Sequence, residues 1–445
     1  MTDMNDGRDP VGVPEGAKQT GEAQDRWTWV EPSVWTARMR TALDNGVKGG
    51  KWFSLVDKVY QRKNLEAAFK KVKQRGGAAG VDHQTVALFE QRVEAHLDAI
   101  ATRLKEGTYH PQTLRRVWIE KPGSKERRPL GIPTVRDRVV QTALLHVLQP
   151  IFERDFAPHS YGFRPGRGCK DALRRVDALL KAGHIWVVDA DIKSYFDSIP
   201  HAALMGSVEQ KIADGRVVDL IQQCLQQGVL EGVREWEPDE GTPQGAVISP
   251  LLANIYLDPL DHQMADAGYE MVRYADDFVV LCRSEEEARA ALKRIQGWMQ
   301  QAGLNLHPEK TRIVDATQPG GFDFLGYHFE RGLRWPRKKS LKKLKDTLRH
   351  KTKRNNGHSL DRIIMGVNQT LVGWFAYFKH SAKPTFRPLD QWLRMRLRSI
   401  LRRRQGRKGK GRGADHQRWP NAFFTAHGLF SLSAARASLC PSSKR

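Results

Sequence analysis

Apolar residues recur at helical spacing in several long stretches of the chain. Between Val139 and Phe152 they fall at positions 139, 140, 143, 144, 147, 148 and 151, which predicts a helix with a wide apolar face. The stretch from Trp27 to Leu104 also has a helical pattern, with a break at the Gly-rich segment 75–80. Further helices are predicted over Glu285–Gly303, Arg337–Lys353, Ile363–Phe378 and Leu389–Leu401.

Three short apolar runs predict strands: Ile185–Val188, Met271–Tyr274 and Phe278–Leu281. Only Ala-Asp-Asp separates the second run from the third, which predicts a β-hairpin. A fourth run, Trp118-Ile119, precedes the segment 121–124, whose Lys-Pro-Gly-Ser sequence is typical of a hairpin turn. Because strands and helices alternate irregularly around at least one hairpin, the pattern favours an α+β fold over a doubly wound parallel sheet.

Composition narrows the class of protein. Hydrophobic residues make up 40% of the 445 positions, which is enough for folded domains, and the length fits about two to four of them. Residues 1–26 are polar and predicted to be a disordered leader without a secretory signal. Neither a membrane-spanning apolar run nor a Cys-x-x-Cys pair occurs in the sequence, so we expect a cytoplasmic protein without a disulfide framework.

Positive charge is concentrated in the last quarter of the chain. The net charge is +23, from 73 Lys and Arg against 50 Asp and Glu. Residues 335–445 hold 28 of these basic residues and 4 of the acidic ones, so residues 1–334 are nearly neutral. Nucleic acid is the natural partner of such a segment, and a solubilising tail is the alternative. Aromatic residues such as Trp374 and Trp392 between the charges favour nucleic acid.

The sharpest chemical motif is Tyr274-Ala275-Asp276-Asp277, between two apolar runs. Adjacent side chains on a strand point to opposite faces, so two neighbouring aspartates face one point only where the chain turns. Carboxylates held together repel each other unless a cation compensates their charge, and oxygen ligands suit Mg²⁺. Taken alone, the motif is equally compatible with a solvated turn.

A second acidic site favours the metal interpretation. Asp189 and Asp191 end an apolar strand, and since they are two residues apart they share a face. Together with the Asp-Asp hairpin, they supply the carboxylates that a two-metal phosphoryl-transfer site needs. In such a site one metal activates the attacking 3′-oxygen and the other neutralises the triphosphate and leaving group.

With these motifs the sequence resembles the group II intron-encoded reverse transcriptase/maturase family. The resemblance covers roughly residues 27–435, and its blocks occur in the family's order. The matching blocks are 75–82 (RGGAAGVD), 128–133 (RPLGIP), 137–141 (DRVVQ), 160–165 (SYGFRP), 191–197 (DIKSYFD), 241–245 (GTPQG), 249–254 (SPLLAN), 274–277 (YADD), 309–311 (EKT), 324–326 (FLG) and 373–378 (GWFAYF).

The resemblance implies an α+β right-hand polymerase. Residues 27–334 are expected to form the N-terminal extension, fingers and palm, and residues 335–400 a helical thumb/maturase (X) domain. Residues 401–445 are expected to be a basic nucleic-acid-binding tail, with the Arg/Lys/Gly stretch 402–412 disordered until it binds a partner.

The resemblance also implies roles for individual residues. Asp191, Asp276 and Asp277 match the metal-binding catalytic triad, with the main-chain carbonyl of Ile192 as a further ligand. Two Mg²⁺ ions are expected, with Mn²⁺ as an alternative. Asp191 is preferred over Asp189 because it opens the Asp-Ile-Lys motif, and Asp189 is interpreted as a strand-end acid.

Residues implied to bind the incoming deoxynucleotide surround this triad. Lys121 and Arg128 match cations that clamp the triphosphate, with Arg127 as an alternative to Arg128 and Arg115 as a weaker match. Phe196 matches the steric gate that rejects a ribose 2′-hydroxyl. The remaining matches are Ile192, Gln244 and Lys310, the last of which is a candidate general acid near the pyrophosphate.

Other matches concern the nucleic acid strands. Gly245 is expected beside the template, where a residue without a side chain permits close approach. The segment Phe324-Leu325-Gly326 matches the primer grip, with a core strand as the alternative. The candidate RNA-binding residues are Arg394, Arg398, Arg402, Arg403 and Arg404.

The implied function is an RNA-directed DNA polymerase that copies intron RNA into DNA and assists splicing as a maturase, supporting retrohoming. Its expected partners are intron RNA, template RNA, a DNA primer or target and deoxynucleoside triphosphates, and no membrane. The alternatives are a free-standing reverse transcriptase in defence or repair and an inactive RNA-binding splicing factor. Second-strand nicking is not expected, since nothing after the maturase block resembles an HNH-type endonuclease.

Overall fold

The computed structural model describes residues 26–120, 127–411 and 413–439. Its α-helices are α1 Ala37–Asn45, α2 Val56–Tyr60, α3 Arg62–Arg75, α4 Val86–Glu90, α5 Val93–Glu106, α6 Val135–Glu153, α7 Cys169–Lys181, α8 His201–Glu209, α9 Gly215–Leu225, α10 Ser249–Asp266, α11 Glu285–Gln301, α12 Lys338–Lys351, α13 Leu360–Phe378, α14 Phe386–Arg404, α15 Asp415–Arg418, α16 Asn421–Ala426 and α17 Leu432–Ser438. Its strands are β1 Leu114–Glu120, β2 Arg127–Ile132, β3 Trp186–Asp191, β4 Val229–Glu231, β5 Arg234–Trp236, β6 Glu270–Tyr274, β7 Asp277–Cys282, β8 Arg312–Asp315, β9 Phe322–Phe324, β10 Tyr327–Glu330 and β11 Leu333–Pro336. The predicted α+β class is confirmed.

The central sheet has the strand order β6-β7-β3-β8, and its neighbouring strands are antiparallel. Both of its faces are covered. Val188 packs into the apolar core that includes α10 and α11, whereas Val187 packs with α7 and the strands β9 and β10. Burial on both faces explains why β3 and β7 are continuous apolar runs rather than alternating ones. The predicted β6–β7 hairpin is confirmed.

A second sheet has the strand order β2-β1-β4-β5, in which β1 and β2 precede β3 in the chain and β4 and β5 follow it. We call its β1–β2 hairpin, which lies in the segment expected to include the fingers, the fingers hairpin. Strands β1 and β2 are antiparallel, with Glu120 opposite Arg127. The turn predicted at 121–124 lies outside the described residues. Helix α6 starts directly after β2, because Thr134 caps it and the buried Asp137 accepts hydrogen bonds from Tyr109 (2.6 Å) and Thr134 (2.7 Å). The predicted helix over 139–152 is confirmed.

The C-terminal quarter differs from the prediction. Helix α14 continues to Arg404, so the boundary placed at residue 400 falls inside a helix. Trp419, Phe424 and Leu432 pack into the apolar core formed by α12, α13 and α14. The stretch 405–411 also folds back, since the Gly411 amide donates to the Ser399 hydroxyl at 3.0 Å. The described part of the stretch 402–412, which was expected to be disordered without a partner, is therefore ordered, and the helices that follow it up to Ser438 pack against α12, α13 and α14.

None of the helices in the described ranges is long and apolar enough to cross a membrane.

We predict that Phe424→Ala lowers the free energy of unfolding by about 3 to 5 kcal/mol, because Phe424 is fully buried beneath Arg398. Urea denaturation followed by circular dichroism measures the change. The control is Leu439→Ala, whose side chain is 44% exposed and whose loss costs about 0.5 kcal/mol or less. Equally small changes in both variants would contradict the packing of the C-terminal helices.

Candidate active site

The predicted carboxylates meet at one edge of the central sheet. Asp191, at the end of β3, lies directly opposite Asp277, at the start of β7, so their side chains share a face. Asp277 also pairs with Tyr274 of β6, which leaves Ala275 and Asp276 as a two-residue turn. Ala275 has a φ of +62°, a value that a turn of this kind requires and that a residue with a Cβ adopts at a cost.

A buried arginine that the sequence reasoning missed holds this turn. Arg273 is fully buried, and its guanidinium donates to both carboxylate oxygens of Asp261 at 2.5–3.0 Å. It also donates to Asn254 Oδ1 and to the carbonyl of Ala275, each at 2.9 Å. Since every one of these acceptors is fixed on α10 or in the turn, the guanidinium ties the Asp276–Asp277 hairpin to the helix behind it.

The segment 159–164 supports the hairpin from its outer side. Gly162 lies so close that a Cβ there would be 2.2 Å from the amide nitrogen of Ala275. Asn254 donates to the Gly162 carbonyl at 2.8 Å, and the buried Arg164 forms a bidentate ion pair with Glu153. The sequence block 160–165 therefore supports the Ala275-Asp276 turn, a role that is visible only once the chain is folded.

Burial and neighbouring negative charges raise the pKa values of these carboxyl groups. Burial, followed by the charges of Asp276, Asp189 and Asp191, raises the pKa of Asp277 to about 7. Burial also raises the pKa of Asp189 to about 6, although Arg312 at 3.3 Å opposes the shift, and it raises the pKa of Asp276. Such carboxylates need a compensating cation to be ionised together.

Lys310 supplies one such cation in this structure. Its ammonium lies 2.5 Å from Asp191 Oδ2, and its side chain is 60% exposed. Among the described residues no three acidic, His or Cys side chains are arranged as a ready metal site. The donor set is nevertheless chemically suited to Mg²⁺, because it consists of carboxylates at one sheet edge with the Ile192 main chain directly after Asp191.

Two of the predicted nucleotide-binding residues, Phe196 and Gln244, line one cavity together with Pro129 and Gly131 of β2. Phe196 lies in a 3₁₀ turn, Tyr195–Asp197, and its ring meets the half-exposed ring of Phe163 edge to face at 6.4 Å. The side-chain amide of Gln244 donates to Asp197 at 3.1 Å, and the main-chain carbonyl of Gln244 accepts from the Gly131 amide at 2.7 Å. A Cβ at Gly245 would lie 2.6 Å from the Gly131 carbonyl, so this position requires glycine.

The register of the fingers hairpin separates the candidate arginines. Arg115 and Arg128 share one face of β1 and β2 with Leu130, and Leu130 is the side chain that approaches Gly245. Arg127 lies on the opposite face with Pro129 and Gly131, which line a cavity with Phe196 and Gln244, so the register keeps both Arg128 and Arg127 as candidates. Lys121 lies outside the described residues.

The segment predicted as the primer grip forms the turn between β9 and β10. Phe324 is buried and belongs to the palm core, as the alternative interpretation expected for this residue. Leu325 and Gly326 are the two turn residues, with φ of +46° and +84°. Positive φ at both positions is the pattern of a type I′ turn, in which leucine is unusual at the first position.

The predicted RNA-binding arginines fall into two groups. Arg398 is 2% exposed and donates to the Trp419 carbonyl and to Asn421, so its selection as an RNA contact is corrected to a structural role. Arg402 pairs with Asp415 at 2.8 Å, and Arg404 donates to the Asn356 and His358 carbonyls. Arg403 and Arg404 are exposed and Arg394 is half-buried, so all three remain within reach of a polyanion.

Comparison with known proteins gives consistent matches over two successive segments of the chain. Residues 119–329 match the model of the reverse transcriptase (RNA-dependent DNA polymerase), and residues 341–419 match the group II intron maturase-specific domain. Protein YkfC of Escherichia coli (strain K12) is 34% identical over 291 residues, which cover 57% of this chain and 76% of YkfC.

Group II intron-encoded protein LtrA of Lactococcus lactis subsp. cremoris is 45% identical over 168 residues, or 38% of this chain and 28% of LtrA. The chain thus spans about three quarters of YkfC and under a third of LtrA. A solved structure of a partial Cas6-RT-Cas1–Cas2 complex is 24% identical with a TM-score of 0.37, over 56% of this chain and 41% of that chain.

We predict that Asp277→Asn stabilises the metal-free protein at pH 8. The folded state keeps the Asp277 proton up to about pH 7, whereas the unfolded state loses it near pH 4, so stability falls as pH rises between these values. The asparagine side chain of the variant does not titrate, so the variant does not lose stability in this way. Its free energy of unfolding at pH 8 is expected to exceed that of the wild type by on the order of 1–3 kcal/mol.

Urea denaturation in EDTA at pH 5 and pH 8 tests this prediction. Asp219→Asn, on the exposed side of α9, is the control and is expected to change neither value. Identical pH dependence in wild type and Asp277→Asn would show that Asp277 titrates normally.

Proposed function

The chain belongs to the group II intron-encoded reverse transcriptase/maturase family, and we propose that it extends a DNA primer at the site of Asp191, Asp276 and Asp277. It is an RNA-directed DNA polymerase with an attached maturase-specific domain. The observation that carries the assignment of the site is the register of β3 and β7, which sets Asp191 opposite Asp277 next to the Asp276 turn. Catalysis of phosphoryl transfer consists almost entirely of positioning the reactants and neutralising their charge, and carboxylates that bind metal ions serve both purposes.

The three carboxylates and the Ile192 carbonyl would hold two Mg²⁺ ions. When bound, the ions supply activation of the primer 3′-hydroxyl and neutralisation of the triphosphate charge. Lys310 would then leave Asp191, and its ammonium would be available to donate a proton to the departing pyrophosphate. Phe196 would reject a 2′-hydroxyl by steric exclusion.

The fingers would hold the nucleotide from the other side. Arg128, with Lys121, would bind the triphosphate as a planar fork and a point charge. Asp197 orients the amide of Gln244, and the missing side chain of Gly245 lets Leu130 and the Gly131 carbonyl approach closely. This contact would place the template beside the fingers hairpin.

The maturase half of the function would rest on the basic thumb. Intron RNA, the proposed partner, would be held mainly through phosphates by the exposed cations of α12 and α14. The presence of all three carboxylates favours an active polymerase over an inactive splicing factor. Retrohoming would use both halves in turn, first on the folded intron RNA and then on the same RNA as a template.

We predict that Asp276→Asn with Asp277→Asn reduces primer extension by on the order of 10³-fold or more, because the metal ligands lose their charge. Extension of a DNA primer on an RNA template, in Mg²⁺, measures the loss. RNA affinity is expected to stay within about twofold, since the phosphate contacts lie elsewhere.

Asp189→Asn is the matched control, because it removes a carboxylate on the same face two residues before Asp191. We expect it to retain most of the activity. Normal DNA synthesis by the double variant would overturn the proposed metal site.

For the thumb, we predict that Arg403→Ala with Arg404→Ala weakens RNA binding and makes the plot of log affinity against log salt shallower by up to about 2. Each phosphate contact contributes slightly less than one unit to that slope. Filter binding of a structured RNA from 50 to 300 mM salt measures it. The control is Arg289→Ala, an exposed arginine paired with Glu285 in the palm. A slope that stays at the wild-type value would remove both arginines from the RNA interface.

A further inference from the structure

Helix α13, which lies inside the segment that matches the maturase-specific domain, contacts the β9–β10 turn of the palm. The Tyr377 hydroxyl donates to the carbonyl of Leu325 at 2.7 Å. In the opposite sense, the Tyr327 hydroxyl donates to the carbonyl of Tyr377 at 2.6 Å. The two tyrosine rings are 5.8 Å apart, so ring packing accompanies the two hydrogen bonds.

The conformation of this turn depends on such support. Leu325 holds a positive φ, which is unfavourable for a residue with a Cβ and persists only where surrounding contacts enforce it. The next carbonyl, that of Gly326, accepts from the Arg337 amide at 2.9 Å and from the Ser340 hydroxyl at 3.2 Å. Both carbonyls of the turn are therefore bonded by groups that follow the palm in the chain.

The same side chains reach toward the catalytic hairpin. Tyr274, Leu325 and Tyr377 all pack against the core cluster under the central sheet. The Cys169 thiol, at the start of α7, lies beside the hydroxyls of both Tyr274 and Tyr377. A displacement of Tyr377 would thus change the contacts of the primer-grip turn and of Tyr274, the first residue of the Tyr-Ala-Asp-Asp motif.

We propose that Tyr377 is a positioning residue for DNA synthesis, holding the Leu325-Gly326 turn in the shape that presents the primer end to the catalytic carboxylates. The inference rests on the proposed function, because the turn has a primer to hold only in an active polymerase. It gives the maturase-specific segment a second role besides RNA binding. Helix α13 is part of the polymerase site.

Tyr377→Phe tests this role, because it removes one hydroxyl and keeps the ring in place. We expect the KM for a DNA primer annealed to RNA to rise about three- to tenfold, the loss typical of one hydrogen bond. The KM for deoxynucleotides, the affinity for structured RNA and the melting temperature are expected to stay close to wild type. A purely structural role would not separate the primer KM from the nucleotide KM.

Tyr256→Phe is the matched control, since its hydroxyl donates to the Ala302 carbonyl at 2.5 Å on the opposite face of the central sheet. It is expected to leave the primer KM unchanged. An unchanged primer KM in Tyr377→Phe, or an equal rise in Tyr256→Phe, would overturn the positioning role. If the wild-type protein itself makes no DNA, the proposed function fails instead, and the two failures are distinguishable.

Discussion

The buried ion pair between Arg273 and Asp261 is the contact on which the position of the hairpin that carries Asp276 and Asp277 depends. Carboxylates that face one another across two strands repel, and the hairpin would splay without a rigid anchor behind it. Arg273 provides that anchor because its donors are divided between Asp261, Asn254 and the Ala275 carbonyl. A buried charge of this kind is tolerated only while all its partners remain, and losing one costs about 3–5 kcal/mol.

Non-glycine residues with a strained, positive φ occur mainly in the segments that match the family's sequence blocks. Among the described residues, seven non-glycine positions have a positive φ, and four of them, Phe163, Ser194, Ala275 and Leu325, belong to matched blocks. Ala275 and Leu325 each occupy the first position of a two-residue hairpin turn. Each turn is stabilised by hydrogen bonds to its carbonyls, from Arg273 in one case and from Tyr377 in the other. Both turns are thus held by the same kind of contact, a hydrogen bond from a side chain to the carbonyl of a residue with positive φ.

The thumb combines a stable core with a cationic surface. Its apolar residues, together with Phe424 and Leu432, form a core distinct from that of the palm. Arg398 and Arg402 contribute to this core or its edge through Trp419 and Asp415, while other cations of α12 and α14 face solvent. Helix α13 belongs to this core and also bonds the Leu325-Gly326 turn beside the central sheet, so the two cores are joined through one helix.

The longer helices and the β6–β7 hairpin followed from local order in the sequence, since periodicity and turn residues act over a few positions. The choice of Asp191 rather than Asp189 rested on the resemblance to the family. Other features needed partners distant in the chain. The pairing of Asp191 with Asp277, the burial of Arg273 and Arg398 and the contact between Tyr377 and Leu325 are examples. The C-terminal helices α15, α16 and α17 were not predicted for the same reason, because they are only 4, 6 and 7 residues long and depend on packing against the core that includes α14. Burial is decided by what a residue packs against, and only the tertiary structure supplies that surface.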